Sequence, residues 1–120
     1  MAKVAAEAKV SPATRVTAPS EEELVAILRS QRRAGADLPK IAVTPRGPRD
    51  VLTLLSASLT VAADNAGPHI ALSMGPLGAV TRVAGETFAS AATFATAGRA
   101  SAPGQLAATD VAEVIEMLRP

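Results

Sequence analysis

Short apolar runs alternate with helical patterns along this 120-residue chain, and that alternation constrains the fold more than any other feature. A strand–helix–strand succession buries its apolar groups when consecutive strands lie parallel and each helix crosses back over the sheet. The clearest strand is Pro39-Lys40-Ile41-Ala42-Val43-Thr44-Pro45, which is apolar, rich in β-branched residues and closed by a proline. His69 to Met74 and Ala91 to Thr96 are two more such runs. Between the first two, Pro48 at a first helical position and Val51, Leu52, Leu54, Leu55 and Leu59 predict a helix, stopped by Asn65-Ala66-Gly67-Pro68. Upstream, Ser20-Glu21-Glu22-Glu23 predicts a helix start with Ser20 as N-cap and Glu23 at the capping-box position. Leu24, Ile27 and Leu28 follow at helical spacing, and Gly35 predicts a left-handed stop. The cluster Arg29, Arg32 and Arg33 reads as a solvated helix end without a role.

The flanks are less regular. Residues 1–19 predict a weakly structured N-terminal segment, with a possible strand from Ala5 to Ser11 and a loop from Pro12 to Pro19; residues 20–120 form the α/β unit. Val80 to Ser90 predicts a short helix in which Arg82 and Glu86, four residues apart, can pair. Ala100-Ser101-Ala102-Pro103-Gly104-Gln105 is a small-residue loop able to move over a ligand. Thr109-Asp110 caps a last helix with Val111, Val114, Ile115 and Leu118 on one face.

Composition excludes several functions. The chain is 48% hydrophobic but has two Phe and neither Trp nor Tyr, so its core is made of many small contacts. Net charge is +1 with both signs interspersed, which argues against nucleic acid or an anionic membrane as partner. There is no cysteine, so disulfide and thiolate chemistry are out and a reducing cytoplasm is the expected compartment. No apolar run is long enough to span a bilayer, and the N-terminus lacks a signal-peptide apolar region. No metal or other cofactor is expected.

Lys40 is the residue with chemistry to offer. Side chains alternate along a strand, so Lys40 shares a face with Ala42 and Thr44, while Ile41 and Val43 face the other way, under the helices. An amine among small groups, away from bulk water, has its charged form disfavoured and its nucleophilic form made available, as a Schiff-base lysine requires. The alternative is a lysine that begins a strand and extends its amine to water. His69 also begins a strand, the end away from the ligand-binding edge of a parallel α/β fold, and reads as structural.

Five ordered segments carry a family resemblance: Gly35-Ala36-Asp37-Leu38-Pro39-Lys40-Ile41-Ala42-Val43, Asp50-Val51-Leu52, Ser73-Met74-Gly75, Thr81-Arg82 with Gly85-Glu86-Thr87-Phe88, and Ala100 to Gln105. The chain from about Val10 onward resembles the C-terminal half of type I 3-dehydroquinate dehydratase, a (β/α)8 (TIM) barrel enzyme of the shikimate pathway. The implied fold is therefore a parallel (β/α) half-barrel. The implied activity is a carbon–oxygen lyase that converts 3-dehydroquinate to 3-dehydroshikimate and water. Residue by residue, the resemblance puts Lys40 on the lysine that condenses with the C3 ketone, and Arg82 on the arginine that holds the substrate carboxylate. Ser101 and Gln105 fall on the mobile loop closing over that carboxylate, and Met74 on an apolar wall of the pocket.

Two departures accompany the match. The family's general-base histidine and its neighbouring aspartate align, without gaps through Pro19-Ser20, with Ala13 and Thr14. The family's N-terminal half, with groups that hold the ring hydroxyls, has no counterpart in this sequence. An isolated half-barrel leaves sheet edges and an inner face uncovered, so the expected partner is a second copy or a complementing N-terminal half. The expectation is an impaired lyase chain; the alternative is a half-barrel that binds carbonyl or carboxylate ligands without turnover, or a degraded family member.

Overall fold

In the computed structural model, residues 14–17, 19–91 and 108–119 are described. The order is strand β1 (Thr14–Thr17), helix α1 (Glu21–Arg33), β2 (Lys40–Thr44), α2 (Pro48–Ala62), β3 (Ile70–Ser73), a 3-10 turn (Pro76–Gly78), α3 (Ala79–Val83) and α4 (Ala108–Leu118). The strands form one parallel sheet in the order β1-β2-β3. Thr14 lies opposite Ile41, and Lys40 opposite Ile70. This is the alternation expected of a parallel (β/α) unit.

Local chemistry explains the element ends. Ser20 caps α1, its hydroxyl accepting from the Glu23 N–H at 3.1 Å, and three glutamates occupy the first turn. Gly35, at φ +102°, turns the chain back after the helix. Pro48 opens α2, where its missing N–H costs nothing, and Asp50 accepts from the Arg46 N–H at 3.0 Å and Nε at 3.1 Å. Those bonds hold the Asp50 carboxyl below its ordinary pKa.

One core lies between the sheet and the helix pair. Ile41 and Val43 of β2 and Ala71 of β3 meet Leu24, Val25 and Leu28 of α1 and Leu54, Ala57 and Val61 of α2. Each large aliphatic side chain taken fully from water contributes about 1.5–3 kcal/mol, so this layer dominates the stability. As composition implied, it contains no aromatic ring.

Three local expectations are corrected. The loop expected over Pro12–Pro19 contains β1, because backbone pairing to β2 needs no apolar side chains. The strand expected at 5–11 lies outside the described residues, as does all but Ala91 of the one expected at 91–96. Leu52 and Leu59, two of the apolar residues that mark α2, are 62% and 47% exposed; the buried stripe of the helix runs through Val51, Leu54, Leu55, Ser58 and Val61. The helix expected over Val80–Ser90 stops at Val83, and the Arg82–Glu86 pair does not form. Arg82 turns inward, whereas Glu86 meets Arg119 after α4 at 2.9 Å.

The arginine cluster also has work. Arg29 makes two 2.8 Å bonds to the Asp64 carboxylate at the end of α2, which lower that carboxyl's pKa. Arg32 donates to the Asp37 carbonyl at 2.8 Å and to the Pro68 carbonyl. These bonds tie the end of α1 to the chain segments that lead into β2 and β3. Arg33 remains exposed.

Candidate active site

β2 enters the sheet at Lys40, which is half-buried. Its parallel pairing sets Lys40 beside Ile70 and Ala42 beside Leu72, so these four residues share the face opposite α1 and α2. Ile70 and Leu72, with Leu38, form a second buried apolar cluster there. The small neighbours expected from alternation are present in β2, and β3 adds two bulky ones that sequence periodicity did not reveal. Lys40 stands at the beginning of its strand, whereas Met74 and Arg82 come after theirs. By register, Met74 lies four residues further along the sheet, about 13 Å in strand rise.

The far end of β3 is built tightly. The Met74 N–H donates to the Val43 carbonyl at 2.7 Å, prolonging the ladder one residue past Ser73. The 3-10 turn then folds back so closely that a Cβ on Gly78 would lie 2.0 Å from the Ser73 carbonyl oxygen. The buried Thr81 hydroxyl accepts from the Ser73 N–H at 3.0 Å and donates to the Gly78 carbonyl at 2.7 Å, pinning α3 to the strand end. Arg82 follows, only 1% exposed, with Nη2 3.6 Å from the Met74 sulfur. Burial lowers its pKa from the ordinary arginine value, yet a guanidinium stays protonated at physiological pH. A fixed cation with a fork of donors suits a carboxylate. Thr81 belongs to the Thr81-Arg82 segment of the resemblance, but the sequence assigns it no role; its bonds to Ser73 and Gly78 appear only in the fold.

His69 is not part of this site. It is 1% exposed just before β3, at the end of the sheet where Lys40 lies but bonded to the helix side, with Nε2 2.7 Å from the Ser58 hydroxyl of α2, which also donates to the Phe88 carbonyl at 2.7 Å. Because the serine proton goes to that carbonyl, the ring supplies the proton of the other bond, which assigns the Nε2–H tautomer. Burial, and secondarily Arg32, lowers the imidazole pKa. The structural role expected for His69 agrees with this. No cluster of three His, Cys, Asp or Glu able to hold a metal occurs among the described residues. Ala13, Ser101 and Gln105 lie outside them.

A family model described as type I 3-dehydroquinase matches residues 10–120. The chain belongs to the type I 3-dehydroquinase family. It is 52% identical over 101 residues to 3-dehydroquinate dehydratase of Klebsiella pneumoniae, covering 83% of this chain and 40% of that protein. It is 47% identical over 100 residues to the Listeria welshimeri protein of the same name, again covering 83% and 40%. The crystal structure of 3-dehydroquinate dehydratase from Geobacillus kaustophilus superposes with a TM-score of 0.85 at 43% identity, over 89% of this chain and 42% of that one. The type I enzyme from Clostridium difficile, crystallised with covalently modified comenic acid, superposes at 0.81 with 38% identity, over 88% and 42%. The chain thus spans about 40% of the length of these relatives. The parallel α/β architecture of this type I 3-dehydroquinase segment corresponds to one contiguous part of their fold, as the half-barrel expectation required. No helix among its described residues is long and apolar enough to cross a membrane.

Proposed function

We propose that this chain provides the lysine-bearing part of a 3-dehydroquinate dehydratase site, working on 3-dehydroquinate by Schiff-base chemistry. In this reading the Lys40 amine adds to the C3 ketone and water leaves, forming an iminium that withdraws electrons from C2. Loss of the C2 proton and departure of the hydroxyl as water give the unsaturated iminium, and its hydrolysis releases 3-dehydroshikimate and frees Lys40. Arg82 receives the carboxylate, Met74 forms an apolar wall, and Ser101 and Gln105 close over the carboxylate end.

The observation that carries this reading is the buried Arg82–Met74 pair beyond β3, on a sheet whose inner face also bears Lys40. Four residues of strand separate the levels of Lys40 and Met74, a gap of about 13 Å that an extended lysine side chain and a carboxylate-bearing ring span together. A relative crystallised with a covalently modified ligand fits a site that bonds to what it binds.

Completion of the barrel calls for a second copy of the chain or a complementing N-terminal half, working in the cytoplasm. Ala13 stands where the family resemblance puts the general base, which makes turnover by this chain slow and favours, as a second reading, a carbonyl- or carboxylate-binding segment without turnover. Borohydride reduction in the presence of 3-dehydroquinate or 3-dehydroshikimate, followed by peptide mass mapping, tests the shared step. The adduct is expected on Lys40; an adduct spread over Lys3 and Lys9 overturns the dehydratase reading and carbonyl binding at Lys40.

A further inference from the structure

We infer that Gln31 is a positioning residue for Lys40, clamping its main chain from the helix side at the point where β2 begins. This rests on the reading that Lys40 condenses with a carbonyl. Gln31 lies two residues before the end of α1, half-buried. Its Oε1 accepts from the Lys40 N–H at 2.8 Å, and its Nε2 donates to the Lys40 carbonyl at 3.1 Å. Both main-chain polar groups of the lysine are therefore held by one planar amide.

The direction of those groups explains the arrangement. The Pro39 carbonyl accepts from the Ile70 N–H at 2.8 Å and the Val43 carbonyl from the Met74 N–H at 2.7 Å, so odd-numbered residues of this stretch face β3. In a parallel ladder the even-numbered residues, Lys40 among them, face the opposite neighbour. Within the described part of β1, Thr14 lies opposite Ile41, so the ladder reaches the Lys40 carbonyl from the strand side. The Gln31 amide adds a hold on the same peptide groups from the helix side.

Few side chains can do this. A peptide presents one donor and one acceptor, and a primary amide reproduces both. A carboxylate supplies acceptors alone, leucine supplies neither, and asparagine is one methylene shorter. The end of α1 is itself fixed, by Arg32 on the Asp37 and Pro68 carbonyls and by Arg29 on Asp64, so the reach of Gln31 is set from behind. A lysine amine rides on four rotatable bonds, and the part of it the protein can hold rigidly is its main chain. Gln31 holds that part from the helix side, away from the face that carries the lysine side chain.

Amide hydrogen exchange and borohydride trapping, on the chain as it stands, test the clamp. In Gln31→Leu the Lys40 amide is expected to exchange about tenfold faster or more than in the parent, the loss of one or two buried hydrogen bonds. The Lys40 share of total adduct should fall severalfold relative to Lys3 and Lys9, which serve as internal controls that a general loss of stability would not favour. Gln31→Glu adds a signature that packing alone cannot imitate. Its carboxylate keeps the acceptor for the Lys40 N–H and lacks the donor for the Lys40 carbonyl. The Lys40 amide should therefore stay protected in Gln31→Glu while it loses protection in Gln31→Leu. Unchanged exchange in Gln31→Leu, or a loss of protection in Gln31→Glu as large as in Gln31→Leu, overturns the clamp. Faster exchange with an unaltered adduct share overturns its positioning role. A parent chain that forms no Lys40 adduct overturns the condensation reading, and the positioning role with it, while exchange still decides whether the hydrogen bonds exist.

Discussion

Gly78 offers a one-methyl test of how the Arg82 end of the site is held. Its φ of −86° is ordinary for any residue, so backbone strain plays no part. The constraint is steric: an added Cβ would lie 2.0 Å from the Ser73 carbonyl oxygen, 2.3 Å from its carbon and 2.8 Å from the Ser73 Cβ. Non-bonded carbons sit about 3.5 Å or more apart, so in Gly78→Ala the turn must retreat by roughly 1 Å. That retreat breaks the 3.0 Å bond between the Thr81 hydroxyl and the Ser73 N–H and frees α3 from the strand. Overpacking costs about 1–3 kcal/mol and a buried hydrogen bond left unmade about 1–3 kcal/mol more, giving about 2–6 kcal/mol for Gly78→Ala. Against a domain stability of about 5–15 kcal/mol this is a large loss.

Urea denaturation at neutral pH measures it, with two other glycines as controls. Gly47→Ala meets nothing within 4 Å at φ −169° and should change stability by less than about 0.5 kcal/mol. Gly75→Ala also meets nothing within 4 Å, but Gly75 has φ +75° and ψ −179°, a region open essentially to glycine, so it should cost about 1–3 kcal/mol through strain. A Gly78→Ala variant as stable as Gly47→Ala would refute the account of how α3 is docked.

Three more outcomes follow from the same geometry. Ser58→Ala leaves the His69 ring N–H and the Phe88 carbonyl without their shared hydroxyl, and should cost about 2–4 kcal/mol by urea denaturation; a cost below about 0.5 kcal/mol would contradict the bridge. Because burial holds the His69 pKa below its ordinary value of 6.5, the unfolded chain binds a proton that the native chain refuses as pH falls below that value. Stability should be flat above that pH and decline below it, until the lowered folded-state pKa is passed; replacing His69 with a non-titrating residue should remove the decline in that window, and a parent chain gaining stability on acidification would be inconsistent with a buried neutral imidazole. Ala13→His with Thr14→Asp should raise dehydration by about 10²-fold or more when the chain is mixed with a family N-terminal half; equal activity of parent and double variant would mean that another group is the base.

Strand–helix alternation, the Ser20 cap, the Gly35 stop and the Pro48 start were legible in the residues, because each is decided by its own backbone conformation and near neighbours. So was the assignment of Lys40 to one sheet face and of Ile41 and Val43 to the other, since a strand alternates whatever surrounds it. The roles of Lys40, Met74 and Arg82 could be proposed because residue identities at family spacing are carried by the sequence itself. Tertiary structure decided the rest. Arg82 and Glu86 are spaced for a helical pair, but the helix ends at Val83 once Thr81 bonds to Ser73, and each charge finds surroundings distant in sequence. Leu52 and Leu59 satisfy helical periodicity, but the sheet covers only one stripe of α2 and leaves them in water. Gln31 carries no motif, and its meaning appears only when the end of α1 meets the start of β2 nine residues later. Periodicity records which side chains share a face; it does not record which main-chain groups a neighbouring element leaves for a side chain to satisfy, and that depends on where the elements pack.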